Sequence, residues 1–302
     1  MGRLSTEPLP IWIFANPIAG RGSGARIAGR VEARLRNDGY AVRVFLKPAT
    51  ELMAAELSGS ARSAVIIGGD GTLRAVAERL IQAGTLPPLL PVPLGTANLM
   101  GRYLGIRWNK STVEQRVAAA VKSCRVLPLD AARANGRLFL LMTGVGFDAQ
   151  VVHEVDRVRR GPIAFWDYFL PAATALRHLA AAPLRVTLDG QEIFPLAPAV
   201  AFVGNLAEYA TGFPVLPHAR PDDGVLDVCV LPCRSRAELL RLFLLAAAGE
   251  HLWTEGAVYN KGKRVTIESP APVPVQIDGD PAGHTPVEID LLPIRLPFIV
   301  PS

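Results

Sequence analysis

Cysteine is scarce in this chain: Cys124, Cys229 and Cys233 are the only three among 302 residues. An odd number at wide spacing excludes a disulfide framework and reads as small buried hydrophobes in a reducing cytoplasm. Cys229 and Cys233 lie four apart, with no third or fourth ligand to make a metal site. Long apolar runs are missing too. The nearest, Ile163–Ala182 and Leu239–Ala248, are broken by Asp167 and Arg177 and by Arg241, so neither reaches the ~18 residues of a membrane span. Met1–Pro10 lacks the apolar stretch of a signal peptide. Aromatic residues make up 7% of the chain, and none gathers with basic residues into a cluster suited to nucleic acid. None of His153, His178, His218, His251 and His284 stands at metal-ligand spacing from another. All five read as surface or structural.

What is present is the composition of a globular protein, half hydrophobic and one-fifth charged. The length suits two domains, each with its own core. The net charge of +5 fits anionic small molecules or a membrane surface. Up to about Cys124, short apolar strands alternate with helices. The strands are Ile11–Ala15, Tyr40–Leu46, Ser63–Ile67 and Leu89–Val92. The helices are Ala25–Asn37, a short Glu51–Leu57 capped by Thr50, and one from the Gly68–Thr72 turn to about Ala83. That alternation predicts a parallel sheet with helices on both faces, whose ligands bind beyond the carboxyl ends of the strands.

After Cys124 the pattern becomes short alternating strands between Pro, Gly and Asp turns, as in an antiparallel sandwich. These strands are Arg125–Leu129, Arg137–Met142, Leu184–Leu188, Pro198–Gly204, Val225–Leu231, Arg264–Glu268 and Val273–Ile277, with two more in Val287–Val300. Helices Phe165–Ala181 and Ala237–Gly249 interrupt them. Pro198, Pro272 and Pro274 fall in strand-like runs, which predicts edges or strand starts.

Three glycine-bearing loops fall at carboxyl ends of the first set of strands. Asn16–Gly24 is neither a dinucleotide fingerprint nor a Walker loop: its third glycine comes too early, no acid ends the second strand, and no Gly-Lys-Ser/Thr follows. It reads as a phosphate cradle to which Arg21 adds a charge and Ser23 a hydroxyl donor. Gly68-Gly69-Asp70-Gly71-Thr72 opens a helix whose free N–H groups and dipole suit phosphate. Its one carboxylate, Asp70, would repel that ligand unless a metal or a transferable proton is involved. Gly95-Thr96-Ala97-Asn98 adds a hydroxyl and an amide.

Together with Gly144-Val145-Gly146-Phe147-Asp148-Ala149, Gly204-Asn205, Pro221–Asp227 and Asp278-Gly279-Asp280, these loops resemble the diacylglycerol kinase catalytic family over essentially the whole chain. The resemblance implies an N-terminal Rossmann-like parallel α/β domain over residues 1–124, joined by a tail from about 290 to 302, and a β-sandwich lipid-substrate domain over 125–289. It implies an active site in the cleft between the two. It implies an ATP- and Mg-dependent lipid kinase that phosphorylates a hydroxyl of a diacylglycerol-like lipid. Asn16, Thr50, Gly68, Gly69, Asp70, Gly71, Thr72, Leu73, Arg74, Ala75, Thr96 and Asn98 would line the ATP site. Asp70 would act on Mg-ATP, and Asp280 would be the general base. A second, structural Mg would take the Asp223 side chain and the carbonyls of Arg220 and Val225.

Two departures bear on this. Asp280 stands where Glu is usual, and Leu99 where many members carry Asp. An NAD kinase-like phosphotransferase shares the Gly-Gly-Asp-Gly loop, and a nucleotide-binding regulator that has lost activity fits the two departures. The expected location is the cytoplasm, with transient peripheral contact at the inner membrane face through one of the apolar helices and Arg157, Arg159 and Arg160. The expected partners are ATP and a lipid, with no nucleic acid; a homodimer is compatible with the sequence.

Overall fold

The computed structural model describes residues 8–158, 182–209 and 212–301. The expected helix Phe165–Ala181, together with Arg159, Arg160 and His178, lies outside them. The chain forms two compact units, one up to Pro128 plus the segment from Leu296, the other Leu129–Arg295.

The first unit holds strands β1 (Ile11–Ala15), β2 (Val42–Leu46), β3 (Ser63–Gly68), β4 (Leu89–Pro93) and β5 (Val126–Leu129), and the last strand of the chain, β17 (Leu296–Ile299), in the order β2-β1-β3-β4-β17-β5. β1 pairs parallel with β2 and β3, β3 with β4, and β4 with β17. Every residue of β1 and β3 is buried, which is why both read as unbroken apolar runs rather than alternating ones. Helices α1 (Ala19–Gly22), α2 (Gly24–Asn37), α3 (Asp70–Gln82), α4 (Leu99–Tyr103) and α5 (Val113–Ser123) complete the unit. α2 buries Ile27, Val31 and Leu35, and α3 buries Leu73, Val76, Ala77 and Leu80, each at helical spacing. Phe14 and Phe45 stack at 4.7 Å across β1 and β2, with Trp12 edge-on to both.

The second unit is antiparallel. Its strands are β6 (Ala132–Ala134), β7 (Arg137–Phe139), β8 (Met142–Val145), β9 (Pro183–Leu188), β10 (Gln191–Gly204), β11 (Leu226–Pro232), β12 (Val258–Gly262), β13 (Arg264–Glu268), β14 (Pro274–Ile277), β15 (Asp280–His284) and β16 (Val287–Leu291). They run β15-β14-β8-β10-β9-β13-β16-β6-β7, with β11 on β10 and β12 on β11. The inner faces share one core, among them Phe139, Val186, Val203, Val228, Val265 and Ile289. α6 (Phe147–Val158) packs on β14 and β8. α7 (Arg236–Ala248) closes a second cluster with Phe202, Cys229 and Leu231. Ser235 caps α7 by accepting from the Glu238 N–H, and Gly249 ends it at φ 75°. Burial pushes the Cys229 thiol up to about 12, so it is inert, as its sequence setting suggested.

Four local expectations are corrected. Residues 49–57 form two short 3₁₀ turns, Ala49–Glu51 and Ala54–Leu57, not a helix capped by Thr50. The Glu56 carboxylate binds the Met53 N–H and Lys47, and Leu52 and Met53 stay extended. The run Arg137–Met142 splits into β7 and β8, because a side chain takes its middle N–H groups (below). Arg125–Leu129 yields β5 of the parallel sheet rather than a sandwich strand; alternation identifies a strand but not its sheet. Pro274 does start β14, but Pro198 lies inside β10. There β10 passes from its pairing with β9, ending at Pro198, to its pairing with β11, starting at Ala199. The missing N–H falls at that changeover.

Candidate active site

In the first unit the three glycine loops follow β1, β3 and β4. After β1, the Asn16 side-chain oxygen accepts the Ile18 N–H at 3.2 Å, and the chain turns through α1 with Gly20 at φ +59° and Gly22 at φ +81°. A Cβ on Gly24 would overlap the Asn16 carbonyl oxygen, so α2 starts against the end of β1. The Ser23 hydroxyl donates to the Gly20 carbonyl at 2.7 Å. Its proton therefore closes the loop, a correction to its expected part as a phosphate donor. The Arg21 side chain lies outside the described residues.

The other two loops are one packed piece. The Leu94 N–H donates to the Gly68 carbonyl at 2.8 Å. A Cβ on Gly95 would lie 2.7 Å from the Gly69 Cα and 2.8 Å from the Asn98 Oδ1. A Cβ on Gly68 would meet the Thr72 side chain at 2.5 Å. Close approach, of backbone to backbone at Gly69 and Gly95 and of the Thr72 side chain at Gly68, is thus what demands glycine here, not positive φ. Asn98, itself at φ 49°, accepts from the Gly95 N–H at 2.8 Å and donates to the Gly95 carbonyl at 2.7 Å. Its amide pins the turn.

Asp70 is the second finding that the sequence did not show. Its Oδ2 accepts the Leu99 N–H at 2.9 Å and its Oδ1 the Met100 N–H at 3.2 Å. The acid that seemed to spoil a phosphate loop is turned toward the N–H groups at the start of α4, which have no acceptor within that helix. Burial pushes its carboxyl up, and those backbone donors oppose the rise. The α3 amides of Asp70, Gly71 and Thr72 begin the helix after Gly69, and Gly71 and Thr96 are exposed beside them. Leu73 and Arg74 are buried, and the Leu73 N–H is spent on the Gly69 carbonyl at 3.0 Å. Thr50 is exposed after β2, its carbonyl accepting from Arg79 at 3.3 Å.

In the second unit Asp278-Gly279 turns the hairpin from β14 to β15, with φ of 49° and 83° and Ile277 opposite Asp280. Paired positive φ values in a two-residue loop are the type I′ geometry that Asp-Gly favours. The Asp278 carboxylate accepts from the N–H groups of Leu140, Leu141 and Met142 at 2.9, 2.9 and 3.0 Å. That is the side chain that splits the Arg137–Met142 run. Asp280, half-buried, is the first residue of β15.

Asp223 lies elsewhere in this unit. Its Oδ2 accepts from Lys261 Nζ at 3.0 Å, and its Oδ1 from the Val225 N–H at 3.3 Å. The same ammonium reaches the His218 carbonyl at 3.0 Å and the buried Asp227 carboxylate at 3.3 Å. Burial works against the Lys261 charge, but Asp223 and Asp227 together hold its pKa above the usual value. At the expected cation position of Arg220, Asp223 and Val225, the Asp223 carboxylate is thus paired with an ammonium, which a divalent ion would have to displace. Among the described residues, no group of three or more His, Cys, Asp and Glu could hold a metal. Chelation by EDTA without nucleotide is expected to leave Tm unchanged. Lys261→Met should lose about 1–3 kcal/mol, discounted for the partial exposure of the lysine, read as roughly 2–4 °C of Tm per kcal/mol.

Asp130, which the sequence did not single out, ties this region together. It accepts from Arg295 Nε at 2.8 Å and the Gly224 N–H at 2.7 Å, while the buried Asn205 amide donates to its carbonyl at 3.2 Å.

Residues 10–133 match the family described as the diacylglycerol kinase catalytic domain, and residues 142–300 the YegS C-terminal NAD kinase beta sandwich-like domain. Among curated relatives, the diacylglycerol kinase of Mycobacterium tuberculosis (strain H37Rv) is 30% identical over 298 residues, covering 95% of this chain and 94% of its own. That of Bacillus subtilis (strain 168) is 24% identical, covering 96% of each. The crystal structure of a diacylglycerol kinase from Bacillus anthracis (strain Sterne) superposes with a TM-score of 0.69 at 22% identity, covering 98% of each chain. That last likeness speaks to the fold.

Proposed function

Since the chain belongs to the diacylglycerol kinase catalytic-domain family, we propose that it transfers the γ-phosphate of ATP to a hydroxyl of a diacylglycerol-like lipid. The observation that carries the proposal is the joined pair of loops after β3 and β4. Gly69 and Gly95 meet there without side chains, α3 starts beside them, and the local acid is turned onto α4. Such a surface lets phosphate oxygens reach backbone donors.

In this reading the amides at the start of α3 and the loop of Asn16 hold the nucleotide phosphates, with Thr96 at the rim. Asp70 would hold a divalent cation, being the one carboxylate within Gly68–Thr72 and Gly95–Asn98. When bound there, such a cation, Mg²⁺ in this proposal, would offset phosphate charge. Asp280 takes the proton of the lipid hydroxyl as general base. The outer face of α7 and the turn after it expose Leu240, Phe243, Leu244 and Trp253, with Arg236 and Arg241 on the same helix. These apolar and cationic groups suit transient contact with an anionic bilayer. Arg157 suits it less, since it pairs with Glu154 at 2.8 Å.

The test is ATP consumption with diacylglycerol, phosphatidylglycerol and sphingosine in anionic vesicles, and with NAD, scoring vesicle co-sedimentation in the same tubes. Turnover of diacylglycerol by vesicle-bound protein is expected. Turnover of NAD alone would overturn the lipid reading, tight ATP binding without turnover would favour a regulator, and turnover without sedimentation would remove the membrane contact.

A further inference from the structure

The motif Gly144–Ala149 and the late Asp278-Gly279-Asp280 hairpin meet through a side chain that neither motif contains. Gln276 lies on β14 opposite Gly144 of β8. Asp148, the second residue of α6, is buried, and its carboxylate lies where a Cβ on Gly144 would be. Glycine at 144 is therefore the condition for an acid at 148. Gln276 Nε2 donates to Asp148 Oδ2 at 3.1 Å, and Gln276 Oε1 accepts the Gly279 N–H at 2.9 Å.

An amide has one donating end and one accepting end, whereas an ionised carboxylate only accepts; burial pushes the Asp148 carboxyl up to about 7, so it is the pure acceptor above that pH. Asp148 thus chooses which end of Gln276 faces it, and so presents the other end, the acceptor, to Gly279. A flipped amide would set oxygen against carboxylate and NH₂ against N–H. On either side of Asp280 the backbone is fastened as well. The Asp278 carboxylate holds the 140–142 amides, and Arg137 donates to the Pro281 carbonyl at 2.8 Å. The residue between these ties begins β15 and carries the acid proposed as general base.

We propose that Asp148 and Gln276 are positioning residues for Asp280, acting through the Gly279 amide to hold the β14–β15 hairpin in one conformation. The catalytic half of this inference rests on the lipid-kinase reading; the structural half does not. A base displaced by a fraction of an ångström loses much of its effect, because proton transfer needs hydrogen-bond distance to the substrate hydroxyl.

Amide hydrogen exchange on the full chain without substrate tests the brace. Gln276→Leu is expected to speed exchange at Gly279 roughly tenfold or more. Gln276→Glu, which keeps an acceptor for Gly279 but faces Asp148 with a second carboxylate, should act in the same direction and serves if the leucine variant does not fold. Asp148→Leu should also speed exchange, and Asp148→Asn, whose carbonyl still accepts from Gln276, should recover most of the protection. Assayed with diacylglycerol vesicles and ATP, Gln276→Leu should lower kcat roughly 10- to 100-fold with KM for ATP within about twofold. Unchanged exchange at Gly279 would overturn the brace whether or not any lipid is turned over. Faster exchange with wild-type kcat would overturn the positioning role. Absence of lipid turnover by the wild-type protein would count against the kinase reading alone, with the exchange data still deciding the brace.

Discussion

Asp280→Asn is expected to lower kcat for lipid phosphorylation by about 10²-fold or more while thermal unfolding stays near that of the wild type. The substitution keeps the volume and removes the proton acceptor. It leaves the hairpin alone, because the turn is made by Asp278 and Gly279 at positive φ and held by the Asp278 carboxylate and Gln276. Asp280→Glu lengthens the reach by one methylene, about 1.5 Å, and supplies the residue usual in the family. It is expected to stay within roughly tenfold of the wild type. Wild-type kcat in the asparagine variant would remove Asp280 from the mechanism. A glutamate variant as slow as asparagine would mean that the site is built around the shorter acid.

Asp70→Ala should cost both activity and stability, and the two losses can be separated. The alanine variant deprives the Leu99 and Met100 N–H groups, both on buried residues, of their acceptor. Leaving buried donors unpaired costs about 1–3 kcal/mol, read as a fall in Tm. If the proposed function holds, loss of the carboxylate from these glycine loops should lower kcat by about 10²-fold or more. Asp70→Asn keeps one carbonyl oxygen and should recover part of the Tm but little of the rate, because it carries no charge for a cation. If asparagine restored rate and Tm together, Asp70 would be a structural cap for α4 and nothing more.

The parallel sheet was plain in the sequence because fully buried strands spell themselves as apolar runs: Ile11–Ala15 and Ser63–Ile67 were found within a residue of β1 and β3. The glycine loops were legible as well, since Gly69 and Gly95 do mark a close backbone approach. What escaped were the side chains that bridge distant segments. Asp70 reaches α4, Asp278 reaches residues 140–142, and Lys261 reaches Asp223. None of these pairings leaves a local period or spacing, and each decides what a motif residue is free to do. Lys261 shows the consequence most plainly: nothing in the Asp222-Asp223-Gly224 turn announces a lysine from β12. Gln276 escaped for the same reason, as a single polar residue in an apolar strand.

The place of β17 bears on how the protein comes into being. Leu296–Ile299 lies between β4 and β5, with Leu296, Phe298 and Ile299 fully buried. During synthesis β4 and β5 are both made before the entire second unit, and the strand that joins them is made after it. Until it is made, β4 and β5 lack the neighbour that stands between them in the folded sheet, and the core lacks the fully buried Phe298. The glycine loops that follow β3 and β4 gain the last strand of their sheet only once Leu296–Ile299 has been made.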